Sequence, residues 1–293
     1  MDNLKNVFDR VNREKQLYES KSKLGFIITG IAFISFMPLG IAIGPFAFFL
    51  IAIPFLGGAI YAGQNLNKIK EMSNNFKDTY VTEEVKKVFP NSTYNSKYGF
   101  SENEVVNTGL LFKRDRFYSE DMLSGEHDGV KFRCCDVKQE EVRKSKKSTR
   151  TVTVFQGRFY EFDFPKSFVY NLLLLQPMNF RPFSKFNRVK MESINFNSEL
   201  KVYAENDHEA FYILTPHFME KLLYMDAKYA DKISFSFLDN RLFIAIDSRK
   251  DYFDLQPYKK VDMSLFDDYK QELDDIKEFI SVLKLNESIF KKN

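Results

Sequence analysis

The chain contains no tryptophan, two cysteines and three histidines among its 293 residues, and its formal net charge is only +3. Nucleic acid is normally bound by a strongly basic face or stripe, so this charge balance predicts no nucleic-acid partner. The sequence also has no phosphate-cradling glycine loop, and no nucleophile stands at the spacing of a known catalytic motif. These absences predict no cofactor and no metal, and they favour a protein that is not an enzyme.

The two cysteines, Cys134 and Cys135, are adjacent in the sequence. Neighbouring side chains on a strand point to opposite faces, so a disulfide between them is disfavoured. So few cysteines in a chain of this length indicate a reducing compartment. Because a free cysteine usually acts as a small apolar residue, we expect one in the core and the other on the surface.

A stretch without any charged residue runs from Leu24 to Gln64. A membrane-spanning helix needs about 20 apolar residues, so the stretch predicts a transmembrane hairpin of two short helices, at 24–37 and 45–61. The helix breakers between them are Pro38, Gly40, Gly44 and Pro45. A buried core hairpin and a re-entrant loop are the alternatives.

Basic residues flank this stretch on both sides, and its middle carries no charge. By the positive-inside rule, both flanks stay in the cytoplasm. The predicted organisation is a charged amphipathic segment at 1–23, a transmembrane hairpin at 24–64 and a cytoplasmic domain at 65–293. The predicted location is the cell membrane, as a multi-pass protein with both termini in the cytoplasm.

The pattern beyond residue 64 predicts an α+β fold, an antiparallel sheet with flanking helices. Ser101 and Glu104 form a capping-box signal for a short helix. Asp239-Asn240 between two apolar alternating runs predicts a hairpin, because these residues tolerate positive φ. Further strands are predicted at 109–112, 130–142, 151–164, 168–175, 188–193 and 200–203.

Two longer helices are predicted in the C-terminal part. The first covers 215–229, with Thr215 as the N-cap and Pro216 at the first helical position. The second covers 264–285, where apolar residues recur at a spacing of three and four. This stripe favours packing of the helix on the domain's own sheet, with homo-oligomerisation through it as the alternative.

Several segments together resemble a family of bacterial membrane proteins called domain of unknown function 3137. They lie at 101–112, 118–137, 154–166 (VFQGRFYEFDFPK), 191–222 and 233–246 (ISFSFLDNRLFIAI). The resemblance implies a pair of N-terminal membrane helices and association with other envelope proteins, but no chemistry. The shared positions suit a fold signature better than an active site: Asp121, Gly125, Phe155, Gly157, Ala210, Leu214, Pro216 and Phe237.

The candidate sites are few. His127 lies in a Glu-His-Asp-Gly turn, and we expect His217 to be exposed in the first turn of its helix. Neighbours in sequence rarely converge on one metal ion without distant ligands, so a solvated turn is the expected role of His127. A basic run joins two predicted strands and offers candidate contacts to anionic lipid: Arg143, Lys144, Lys146, Lys147 and Arg150. A flexible, solvated loop tip is the alternative role of this run.

These observations lead to three functional hypotheses. The first is a membrane-anchored, non-enzymatic binding or scaffold protein whose cytoplasmic domain recognises a protein or lipid partner. The second is a subunit of a membrane transport or channel assembly. The third is a membrane-bound enzyme with an unrecognised site, for which none of the usual active-site features is visible.

Overall fold

The computed structural model describes residues 2–44, 46–145, 148–165, 169–177, 185–230, 232–249, 255, 257–262 and 264–285. Within these ranges, the side chains of 2–5, 36–40, 42–43, 46–49, 264–266 and 268 are not described. The chain forms two compact units. The first is Met1–Thr79 with Phe253–Asp268, and the second is Tyr80–Tyr252 with Tyr269–Asn293. The domain boundaries expected from sequence, at 23/24 and 64/65, stay predictions.

The first unit is a pair of long helices, α1 (Asp2–Ile43) and α2 (Phe46–Phe76). The sequence predicts a break within 38–45, and the turn comes at Gly44, whose φ is 61°. From Asp2 onwards, the charged segment and the apolar residues after it thus form one continuous helix, α1. Apolar side chains such as Ile34 and Ile53 are exposed on this pair.

The two helices make a very close contact at Gly25 and Gly58. A Cβ at Gly58 would lie 2.6 Å from the Thr29 Oγ1 and 2.8 Å from the Gly25 carbonyl oxygen. The Thr29 hydroxyl donates to the Gly25 carbonyl at 2.9 Å and to the Phe55 carbonyl at 3.3 Å. A hydrogen atom at position 58 is therefore what allows these backbones to approach each other.

A segment from the C-terminal part, within 255–262, is held against this helix pair by polar side chains. The Asn12 amide donates to the Val261 carbonyl at 2.7 Å and accepts from the Val261 N–H at 2.9 Å. Lys15 donates to the Lys259 carbonyl at 2.5 Å, and the Ser73 hydroxyl accepts from the Leu255 N–H at 3.0 Å. Irregular backbone needs such partners when it is buried, so these side chains fix its path.

The prediction of a transmembrane hairpin at 24–64 is wrong: over the residues that the structure describes, no helix is long and apolar enough to cross a membrane. The uncharged stretch is divided between α1 and α2. Its described side chains are those of 24–35, 41, 44 and 50–64. A crossing needs about 20 consecutive apolar residues. The predicted multi-pass location in the cell membrane, with both termini in the cytoplasm, is contradicted by the same finding.

The second unit is built on one antiparallel sheet of nine strands, which confirms the α+β expectation for this part of the chain. The strand order is β1-β2-β3-β4-β9-β8-β5-β7-β6. The strands are β1 (Thr93–Asn95), β2 (Arg116–His127), β3 (Val130–Lys144), β4 (Thr149–Asp163), β5 (Leu172–Leu175), β6 (Asn187–Val189), β7 (Lys201–Ala204), β8 (Ile233–Leu238) and β9 (Arg241–Ile246). The helices are α3 (Thr82–Val88), α4 (Glu102–Asn107), α5 (Ile194–Glu199), α6 (Asp207–Ile213), α7 (Pro216–Lys228) and α8 (Ser264–Val282), of which the part from Tyr269 belongs to this unit.

Local signals place several of these elements correctly. The turn between β8 and β9 has Asp239 at φ 53° and Asn240 at φ 58°, as the sequence predicts. The Thr215 side chain accepts from the Phe218 N–H, and Pro216 stands in the first turn of α7. The predicted capping box of α4 is formed in both directions between Ser101 and Glu104.

The central strands of the sheet are buried on both faces. Successive residues point to opposite sides, and consecutive residues of β4 and β9 are buried. On β4, Arg158, Tyr160 and Phe162 face α8, where Phe279 lies 5.2 Å from the Tyr160 ring and 5.8 Å from the Phe162 ring. We call this the helix face. Phe155 and Phe159 face the other way, into a core with Phe100, Val105 and Leu111. We call that side the shelf face, after the segment 108–112 that lies on it.

Other elements differ from the sequence-based expectation. The segment 109–112 is a bend after α4 and not a strand, whereas β2, at 116–127, was not expected. The pairing of β2 with β3 shifts between Glu120 and Leu123, where Asp121 has a φ of 62°. This bulge breaks the two-residue alternation by which a strand is recognised in sequence.

Gly58→Val should lower the thermal midpoint of helix loss in the full-length protein. The new side chain meets backbone and the Thr29 side chain at less than 3 Å. We expect overpacking to lower the free energy of unfolding by about 1–3 kcal/mol, because two backbones in close contact cannot easily move apart. Circular dichroism at increasing temperature measures the change.

Gly57→Val is the matched control, since a Cβ at Gly57 meets nothing within 4 Å and the helix-propensity change is the same. Equal midpoints for the two variants would contradict the close contact between α1 and α2.

Candidate functional site: an apolar pocket on the sheet

A pocket of about 490 Å³ lies on the shelf face of the sheet in the second unit. Apolar side chains from the strands form its floor, among them Phe155, Leu175 and Ala245. The shelf segment supplies Leu110, Leu111 and Phe112. The polar and charged lining residues are Arg114, Gln139, Gln176, Tyr203, Lys232, Ser234 and Asp247.

The shelf is fixed at both ends by side chains of the sheet. The Ser236 hydroxyl donates to the Thr108 carbonyl at 2.7 Å, and the Gln139 amide donates to the Phe112 carbonyl at 3.0 Å. Between them, Gly109 has a φ of 76°, a conformation that glycine adopts readily. These contacts hold the shelf in place over the strands, so the pocket is preformed.

The acidic and amide groups of the pocket are already engaged by the protein. The Asp247 carboxylate pairs with Arg249 at 3.0 Å and accepts from the Gln156 N–H at 3.2 Å. The Gln176 amide donates to the Ile233 carbonyl at 2.8 Å and to the Asp226 carboxylate. The lining cations Arg114 and Lys232 differ, because neither pairs with an acidic residue anywhere in the described ranges.

A charge network is buried on the opposite side of the sheet, the helix face. The Arg158 guanidinium contacts the Glu272 carboxylate of α8, and only 3% of each side chain is exposed. Arg158 also reaches the Asp136 carboxylate at 3.3 Å and the Cys134 sulfur at 3.2 Å. A buried pair of this kind fixes a specific arrangement and is costly to break on one side only.

Burial sets the protonation of this network. Burial disfavours the charged form of Arg158, but Glu272, Cys134, Asp136 and Tyr160 together outweigh it and hold the pKa of Arg158 above its ordinary value. The pKa of Glu272 is raised by burial and by the nearby Asp136 and Asp121, although Arg158 opposes the shift. Burial and the bonded Asp121 carboxylate raise the pKa of Tyr94. The network therefore holds the guanidinium of Arg158 among the carboxyl groups of Asp121, Asp136 and Glu272, with the Tyr94 phenol bonded to Asp121.

Both cysteines are buried, so the expectation of one surface cysteine is wrong. Cys134 lies beside Arg158 on the helix face, and Cys135 joins the core on the shelf face. Both thiols are buried because both faces of the sheet are covered. Burial raises the pKa of Cys134 to about 12 and the pKa of Cys135 to about 11.

The histidines singled out from sequence lie apart from the pocket. The His127 ring packs edge-on against Phe89 at 5.5 Å, and its Nε2 is 3.8 Å from the Asp128 carboxylate. His217 is exposed in the first turn of α7, with Glu220 at 3.7 Å. His208 is exposed in the first turn of α6.

The basic run lies at the tip of the β3–β4 hairpin. Arg143 stands directly opposite Arg150, and Lys144 stands opposite Thr149. Arg143 pairs with Glu141 at 3.0 Å. Lys146 and Lys147 lie outside the described residues.

Sequence reasoning missed both the pocket and the charge network. The pocket is assembled from segments between Leu110 and Asp247, and no local pattern joins them. The network did leave a signal: Arg158 interrupts an aromatic strand, and Glu272 falls within the buried stripe of α8. Charged residues are rarely fully buried unless paired, so a cation and a carboxylate at such apolar positions favour a pair between them.

Arg158→Met should strongly destabilise the second unit. It leaves Glu272 and Asp136 buried without their cation, for which the usual cost is about 3–5 kcal/mol. Part of this loss should return in the double variant Arg158→Met/Glu272→Met, which removes the stranded charge. Urea unfolding followed by circular dichroism measures the three proteins.

The control is Asp274→Asn on the same helix, which removes an exposed pair with Lys277 at 3.7 Å. Such pairs contribute roughly 0–1 kcal/mol. If Arg158→Met were as mild as this control, the buried pair would not hold α8 to the sheet.

Neither cysteine should react with Ellman's reagent in the native protein at neutral pH, because both thiols are buried and fully protonated. Both should react after unfolding in guanidinium chloride. Rapid modification of one thiol in the native state would contradict the burial of both faces of β3.

No curated protein matches this chain. One solved structure with some similarity is the crystal structure of the mycobacterial trehalose monomycolate transport factor A, TtfA. Its TM-score is 0.35 and its identity 10%, over 65% of this chain and 88% of that chain, which is too slight to establish a shared fold. Residues 153–285 match the family described as protein of unknown function (DUF3137), so the resemblance expected from sequence is confirmed over β4 to α8.

Proposed function

We propose that the second unit is a non-enzymatic binding module and that its ligand occupies the shelf-face pocket. The observation that carries this proposal is the volume of about 490 Å³ with an apolar floor. Small-molecule sites are typically clefts of roughly 300–1,000 Å³, lined by apolar side chains with a few placed polar groups. The pocket has this size and this composition.

The rigidity of the pocket also supports binding. Its floor is the centre of the sheet, where Phe155 and Ala245 are buried, and its shelf is bonded at Thr108 and Phe112. A preformed site avoids the entropic cost of ordering loops when the ligand enters.

The chemistry of the lining favours binding over catalysis. General acid–base work most often uses a histidine or a carboxylate within reach of the reacting group. Among the described lining residues, Asp247 is the carboxylate, and it is engaged by Arg249 and by the Gln156 N–H.

The neutral apolar fluorophore N-phenyl-1-naphthylamine tests this proposal on the full-length protein. We expect saturable binding with enhanced fluorescence. Ser234→Phe should abolish most of this signal, because Ser234 lines the pocket from β8 and its replacement fills the space.

Thr151→Phe is the control, since Thr151 is exposed on β4 and does not line the pocket. The control also accounts for the dye's partition onto exposed apolar residues of α1 and α2. An unchanged signal in a folded Ser234→Phe protein would overturn the proposal.

A second candidate function is contact with an anionic surface, such as lipid headgroups, through the tip of the β3–β4 hairpin. The β2 pairing with β3 reaches only to Glu140, and the β9 pairing with β4 begins only at Arg158. Beyond these pairings, the described residues 141–144 and 149–152 pair with each other. Arg143 stands opposite Arg150, and like charges across a strand pair repel, although Glu141 pairs with Arg143 at 3.0 Å and offsets part of the repulsion. An anionic surface would relieve that repulsion.

Sedimentation with vesicles tests this contact in the full-length protein. We expect more protein to bind phosphatidylcholine vesicles when phosphatidylglycerol is added. Lys144→Gln/Arg150→Gln should remove most of that increase, since each cation near an anionic leaflet contributes about 1 kcal/mol.

The matched control is Lys131→Gln/Lys190→Gln, which removes two exposed cations away from the tip. If both double variants lost vesicle binding equally, net charge alone would explain the effect, and the assignment to the hairpin would be overturned.

A further inference from the structure

We infer that the pocket ligand is an amphiphile with one apolar chain and an anionic head, and that Arg114 and Lys232 bind the head. This inference rests on the proposed function and adds the chemical class of the ligand. The head is a carboxylate or a phosphate, since both offer the oxygens that these two cations bind.

The charges of the pocket are unbalanced. Of its charged lining residues, Asp247 is already paired with Arg249 at 3.0 Å. Arg114 and Lys232 have no acidic partner among the described residues. The site therefore offers two cations to whatever enters.

The amide groups do not compete for this role. The Gln139 side-chain amide donates one hydrogen bond, to the Phe112 carbonyl, and the Gln176 amide donates to the Ile233 carbonyl and the Asp226 carboxylate. These glutamines hold the walls together, which leaves Arg114 and Lys232 as the cationic donors at the site. A guanidinium in particular presents a planar fork of N–H donors that matches two oxygens of a carboxylate or phosphate.

The cations and the apolar residues occupy different depths. Lys232 is exposed and Arg114 is half-buried, whereas Phe155 and Ala245 on the floor are buried. A ligand that fits this gradient puts its chain on the floor and its charge towards solvent. This arrangement avoids the cost of burying an unpaired anion.

Competition against N-phenyl-1-naphthylamine tests the inference in the full-length protein. The competitors share a dodecyl chain: monododecyl phosphate, laurate, dodecanol and dodecyltrimethylammonium, each below its micelle concentration. We expect the phosphate or the laurate to displace the dye at about tenfold lower concentration than dodecanol, as charge-assisted hydrogen bonds allow. Dodecyltrimethylammonium should compete least.

The variant Arg114→Gln/Lys232→Gln should lose this preference while still binding the dye and dodecanol. Lys113→Gln/Lys260→Gln is the control, because both residues are exposed and neither lines the pocket. Preference for the phosphate over laurate would identify a phosphorylated head, and the reverse a fatty acid.

Two failures are distinguishable. If the dye binds in the pocket but all four competitors act alike, the binding function stands and the anionic class is overturned. If the dye signal does not depend on Ser234, the pocket itself is not the site and both proposals fall.

Discussion

The buried pair of Arg158 and Glu272 is the interaction on which the second unit depends. It joins the sheet to α8, next to an aromatic contact in which Phe279 packs on Tyr160 and Phe162. Apolar packing supplies most of the free energy of such an interface, since it removes large aromatic surfaces from water. The ion pair instead selects one position of the helix, because a shift of one turn would leave both charges buried and unpaired.

The two faces of the sheet differ in what packs against them. On the helix face, α7 and α8 are further linked by Lys228, which reaches Asp275 at 2.9 Å and also binds Glu278. The shelf face is covered by Val105 of α4 and by the shelf segment. The pocket lies beside the shelf, and its floor residues Phe155 and Ala245 are buried. Stability on one side of the sheet thus supports the proposed binding surface on the other.

The sequence predicts elements whose signals are local. The β8–β9 hairpin, the caps of α4 and α7 and the stripe of α8 depend on residues within a few positions of each other. The bulge at Asp121 hides β2, and the pocket joins residues far apart in the chain, so neither follows from a local pattern. The uncharged stretch at 24–64 predicts helices correctly, but the inference from hydropathy to a membrane crossing is wrong for the residues that the structure describes.

Hydrogen exchange of the full-length protein, with and without monododecyl phosphate, tests most directly whether the pocket is a ligand site. We expect slower exchange in the shelf at 108–112 and in the residues of β8 and β9 that line the floor. The backbone of α8 on the opposite face should change much less. Protection confined to α1 and α2, or no protection in the shelf at saturating ligand, would contradict it.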